Sequence, residues 1–144
     1  MIERVASAAL AAALLASPTL AQSKKAANSI DYDVTVMADG KPYTGTMTLA
    51  INAGKATGDI HITAPSEITG KVAGTSKGGR LALDFIYRMI DRGCEGQIVM
   101  TIALPEKKTA APATGTADIA ECGDPAAPRI QGTVELKPKA APKK

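Results

Sequence analysis

Two cysteines, Cys94 and Cys122, and a single histidine, His61, are the residues of this 144-residue chain best suited to do chemistry. A thiol acts as a nucleophile, a metal ligand or half of a disulfide, and the compartment separates those uses. A catalytic thiolate needs a base, and His61 is the only histidine that could serve. A zinc site needs more ligands than one histidine supplies, and two cysteines in an oxidising space are poor candidates to complete it. In such a space the default is a Cys94–Cys122 bridge. Closing a loop of about 29 residues would constrain the unfolded chain by roughly 3 to 4 kcal/mol.

The remaining candidates are weaker. His61 lies in "ATGDIHITA", out of phase with Ile60 and Ile62, which places it on a solvent face beside Asp59. Asp31 and Asp33 of "DYD", with Asp39 near by, lack the loop spacing of a calcium site and read as a solvated acidic face. Ser66 and Ser76 sit in turns without a nucleophile elbow. "TSKGGR" has the lysine and glycines of a phosphate loop but neither its spacing nor its strand-to-helix context. Arg80, Arg88 and Arg92 with Asp84 and Asp91 form a more specific charge cluster, with an anion-binding site as its minor alternative reading. Asp84 and Arg88 share a strand face and read as a surface pair of little energetic weight. The expectation is therefore no catalytic residue, no cofactor and no metal.

The compartment is written at the N-terminus. "MIERVASAALAAALLASPTLAQ" orders a short polar start with Arg4, an apolar run from Val5 to Leu15, a break at Ser17-Pro18, and small residues leading to Ala21. That order is a secretory signal peptide, with cleavage after Ala21. The apolar run of about eleven residues falls short of the roughly 20 that span a bilayer. The expected location is the periplasm or the outside of a bacterial cell. The domain reading is a signal peptide over 1–21, a flexible basic linker over 22–29, one β domain over 30–137 and a disordered Pro/Ala/Lys tail over 138–144.

Composition narrows the partners. Tryptophan is absent, Phe85 is the only phenylalanine, and the tyrosines are Tyr32, Tyr43 and Tyr87. Stacking platforms for sugars or single-stranded nucleic acid are scarce, so aliphatic residues must carry the burial. The net charge of +3 belongs to the ends. Between Asn28 and Leu136 ten Lys/Arg face thirteen Asp/Glu, which leaves the folded part mildly acidic. The basic ends could contact an anionic surface weakly, but four charges in the tail are few for stable attachment.

The elements that must position these residues are short strands. "IDYDVTVM" alternates Ile30, Tyr32, Val34 and Val36 against Asp31, Asp33 and Thr35. "YTGTMTLAI" sets Tyr43, Met47, Leu49 and Ile51 opposite Thr44, Thr46 and Thr48, after an Asp39-Gly40 hairpin signal. "NAGK", Pro65, "SKGGR" and "DRG" mark later reversals. A weaker strand lies in "EITGKVAG". "LALDFIYRMI" aligns Leu81, Leu83, Phe85, Tyr87 and Met89. "CEGQIVMTIAL" aligns Ile98, Met100, Ile102 and Leu104. A loop "PEKKTAAPAT", a strand "GTADIAEC", a wide turn and a last strand "IQGTVELK" complete about eight antiparallel strands. They read as an all-β meander, closed as a small barrel or folded as a sandwich.

Cys94 opens one strand and Cys122 closes the next, so their bridge would staple the open end of that hairpin. A strict register centred on Lys108 sets Ile98 against Asp118. A bulge at Gly96 or Gly115 is expected to correct that mismatch.

The strand count and order resemble the architecture of small ligand-carrying barrels such as lipocalins and avidins. The Gly-x-Trp signature of a lipocalin is missing, so no residues carry over. The functional expectation is a non-enzymatic secreted binding protein that takes a small apolar ligand or a protein partner, with Tyr43, Leu83, Phe85, Tyr87 and Met100 facing the ligand. Its rival is a structural envelope protein held to an anionic surface by its basic termini. Neither reading includes nucleic acid or a membrane span.

Overall fold

A computed structural model describes residues 29–105 and 111–139. The expected signal peptide, the N-terminal linker up to Asn28, part of the "PEKKTAAPAT" loop and the last five residues lie outside the described residues. The strands are β1 (Ser29–Ala38), β2 (Lys41–Asn52), β3 (Lys55–Ala64), β4 (Ile68–Lys77), β5 (Arg80–Met89), β6 (Cys94–Ala103), β7 (Ala113–Ile119) and β8 (Ile130–Pro138). Each pairs antiparallel with the next, and β1 also pairs with β8, so the meander closes into a barrel rather than a sandwich. Among the described residues closure leaves no edge strand to recruit another chain.

Three tight turns set the hairpins. Asp39-Gly40, Ala53-Gly54 and Gly78-Gly79 each have positive φ at both central residues. That is the two-residue geometry whose twist matches paired strands. The ladders are staggered as they go round. Following partners from Ser29 through Ala50, Thr57 and onward in the same registers arrives level with Gln131. Gln131 is one residue past Gly132, the partner of Ala38. One circuit thus advances a full β1 length, 10 residues. Such a stagger tilts the strands by about 40° and leaves an interior that side chains fill or that holds one small ligand.

Strands this strongly coiled press their neighbours closely at glycines. A Cβ on Gly58 would stand 1.8 Å from the Thr48 carbonyl oxygen, and one on Gly74 would stand 2.0 Å from that of Ala82. Only a residue without a side chain fits there.

The inner face divides the barrel into two halves. Toward the end where β1 begins and β8 finishes, Met47, Leu81, Leu83, Ile102 and Leu136 are wholly enclosed and form a solid plug. Each such side chain contributes about 1.5–3 kcal/mol through burial. Ile30 and Ile51, expected to face inward, are instead 48% and 36% exposed. They stand at the rim of this closed end, where the stagger leaves the first residues of β1 and the last of β2 beyond the plug. Pro138 belongs to β8, and the Lys139 N–H donates to the Asp31 carbonyl, so the first two residues of the expected tail are held on β1.

Cys94 and Cys122 form the disulfide, with a Cα–Cα separation of 5.5 Å. The bulge expected at Gly96 or Gly115 is not there. The β6–β7 ladder runs regularly from Ile98↔Ile119 to Ala103↔Thr114. The one-residue offset lies past the end of β7, where the N–H groups of Ala120 and Gly123 donate to the carbonyls of Gln97 and Glu95. Ile98 therefore meets an isoleucine, and Asp118 turns to the outer wall. The barrel's registers shift instead between Thr44 and Gly45 of the β2–β3 pair.

Candidate functional site

The other half of the interior is not filled. A cavity of about 220 Å3 opens at the end that carries the β1–β2, β3–β4, β5–β6 and β7–β8 connections. Its wall is apolar: Ile60, Ile62, Phe85, Met89, Ile98 and Met100 from the central strands, with Ile119 and Ile130 nearer the mouth. Asp39, Tyr43, Arg92 and Glu121 bring polar groups to the same space.

Inward glycines let the aromatic side chains of its wall pack close to the sheet. In the mouth half of the barrel, Gly70 of β4, Tyr87 of β5 and Gly96 of β6 stand side by side on successive strands. A Cβ on Gly96 would lie 2.7 Å from the Tyr87 ring, so the ring occupies the place of the missing side chain. A Cβ on Gly70 would lie 3.2–3.3 Å from Phe85 and Ile60 side-chain atoms.

Tyr87 is fixed at its far end. Its hydroxyl donates to the Ala120 carbonyl at 2.8 Å, joining β5 to the segment that follows β7. Burial pushes its pKa up, the Glu121 and Tyr43 side chains push the same way, and Arg92 opposes them. The phenol therefore stays protonated and remains a donor at neutral pH. Cys122 also lines the cavity, so the disulfide holds part of the wall in place.

The outer wall around this segment is braced as well. Arg129 binds the Asp118 carboxylate through Nε and the Asp118 carbonyl through Nη2. Gln97 donates to Asp84 at 2.7 Å. Asp84 thus takes Gln97 as its partner in place of the expected Arg88. The side chains of Asp39, Arg92 and Glu121 form no hydrogen bond or ion pair among the described residues. They are available to the polar end of a bound molecule, two carboxylates and one guanidinium around an apolar cup.

No family model, curated protein or solved structure matches this chain.

Of the residues expected to face a ligand, Tyr43, Phe85, Tyr87 and Met100 line the cavity. Leu83 does not. It is 1% exposed and belongs to the plug, because the stagger places it one full inward step closer to the closed end than Phe85. The arginine cluster separates in space. Arg92 reaches the mouth, Arg88 lies on the outer wall, and Arg80 lies at the closed end beside the β4–β5 turn. His61 is exposed on the outer wall, where it meets Glu67 at 3.1 Å, while Asp59 pairs with Lys71. The histidine is thus away from the cavity. Among the described residues, no group of three or more His, Cys, Asp or Glu side chains is placed to hold a metal ion.

Sequence reasoning did not find Asp39, Arg92 and Glu121 as cavity residues. The first two sit in turns and the third just past a strand, where alternation gives no direction. A signal was present for two of them. Arg92 stands two residues before Cys94 and Glu121 one before Cys122, so the bridge itself draws both to one end.

Proposed function

We propose that this chain is an exported, non-enzymatic binding protein whose barrel takes up a small, mostly apolar molecule bearing a polar end. The observation that carries the reading is the half-filled interior, an apolar cup with Asp39, Arg92 and Glu121 unpaired at its opening. The volume, about 220 Å3, lies below the roughly 300 Å3 at which sites for drug-sized ligands begin. The ligand is accordingly compact, with its apolar part against Phe85, Met89 and Met100. Its polar end reaches the charged mouth. Export is supported by the N-terminal pattern over residues 1–21 and by the disulfide, which belongs in an oxidising compartment rather than the cytosol. Among the described residues no helix is long and apolar enough to cross a membrane. The location of His61 on the outer wall supports binding over catalysis.

Native mass spectrometry without reductant, on protein exported by its host, tests the reading. The expected spectrum shows a chain beginning at Gln22, two hydrogens lighter than the dithiol, with a small extra mass that leaves on unfolding. Bare protein in repeated preparations, which also fails to take up small apolar probes, would overturn it.

A further inference from the structure

The closed end of the barrel gathers lysines and an arginine around its rim, with Asp31 and Asp33 of β1 beside the lysines of β8. Its rim carries Lys55 in the β2–β3 turn region, Lys77 and Arg80 on either side of Gly78-Gly79, and Lys137 and Lys139 at the end of β8, all exposed. The Ser76 N–H donates to the Gly54 carbonyl at 2.9 Å, which ties the end of β4 to the β2–β3 turn. Lys139 lies 3.6 Å from Asp33, whereas Lys55, Lys77 and Arg80 form no ion pair among the described residues. Ile30 and Ile51 project from the same rim, on strands β1 and β2, between the β8 lysines and Lys55. Exposed isoleucines on a rim that also carries the unpaired cations Lys55, Lys77 and Arg80 are suited to a surface that is anionic outside and apolar just beneath.

We propose that this end docks on a bilayer containing anionic phospholipid, with the cavity mouth directed away from the membrane. A soluble polyanion would satisfy the cations equally but would leave Ile30 and Ile51 in water, which is why the bilayer is the better occupant. Each Lys or Arg near an anionic surface strengthens binding about fivefold. Both described chain ends leave from this rim, β1 starting and β8 finishing there.

Co-sedimentation of the exported chain with phosphatidylglycerol-containing vesicles, and with phosphatidylcholine vesicles as the neutral reference, tests this. The expected result is binding to the anionic vesicles only, falling with salt. Lys55→Gln/Lys77→Gln/Arg80→Gln should weaken it by about a hundredfold, from three charges at about fivefold each. Ile30→Ser/Ile51→Ser should weaken vesicle binding without changing binding to a dextran sulfate probe. The variants share one N-terminus, so their differences report the rim alone, and all are exposed positions that a thermal melt will show to be folded. Equal binding to both vesicle types, triple-variant binding equal to the parent, or vesicle binding indifferent to the serine pair would each overturn the proposal.

Discussion

Replacing both Cys94 and Cys122 by alanine should lower stability by about 3.5 kcal/mol, from loop closure in the unfolded chain. The 28-residue separation fixes that figure, because the entropic model depends on loop length alone. In the folded state the two segments stay joined by the Ala120–Gln97 and Gly123–Glu95 backbone bonds and by the Tyr87 hydroxyl. The native barrel should therefore survive, and the loss should come from a freer unfolded state. Unfolding entropy of about 2.1 cal/mol/K per residue over roughly 110 residues gives about 0.23 kcal/mol/K, and hence a Tm about 15 °C lower. Thermal melts followed by circular dichroism, parent against double variant, measure this directly. Urea unfolding adds a second readout, since a more expanded unfolded state raises the m-value. A Tm loss of only a few degrees, or a variant whose native near-ultraviolet spectrum is already altered before melting, would refute the reasoning.

Gly58→Ala should cost more than Gly40→Ala, although Gly40 has φ of +72° and Gly58 does not. The first substitution drives a Cβ into the Thr48 carbonyl, an overpacking cost of about 1–3 kcal/mol or above, while the second meets open space and costs about 1 kcal/mol of strain. Urea midpoints give the order, and a reversed order contradicts the account of strand contact. Gly96→Ala should displace the Tyr87 ring and break its bond to Ala120, loosening the cavity wall; the Tyr87 ring resonances report it, and an unmoved ring would be the contrary result. Asp118 has its pKa lowered from 3.8, first by its hydrogen bond from Arg129. Its stabilising effect is therefore present above the unfolded value and lost as pH falls through the folded one. Asp118→Asn should flatten the stability profile on that acid side, and an unchanged profile would remove Asp118 from the account.

Much of the barrel is legible in its alternation. Leu81 to Met89 has an uninterrupted inward set, and the structure buries every one of those residues. Alternation gives the face of a residue but not its height in a staggered barrel. That is why Leu83 and Phe85, two residues apart, fall in the plug and in the cavity wall. It is also why Ile30 and Ile51 carry the inward phase yet meet solvent. Height is set by the sum of all the registers, and no single hairpin contains it. The Ile98–Asp118 mismatch shows the same limit at one ladder. The cysteines mark the right hairpin, but Cys122 lies beyond the last β7 pair, so a register centred on the bridge is off by one. The seating of the Tyr87 ring over Gly96 is least visible of all, because it depends on residues of different strands standing level.

Methionine methyl NMR under xenon pressure tests the central claim, an apolar cavity confined to the mouth half, with internal references supplied by the sequence. Met89 and Met100 line the cavity, Met47 sits in the plug, and Met37 lies on the outer wall. Xenon enters apolar voids of this kind. Saturable shifts are expected for the Met89 and Met100 methyls, none for Met47, and at most a weak one for Met37, which lines a shallow groove on the outer wall. Shifts absent from all four, or spread equally over them, would contradict it.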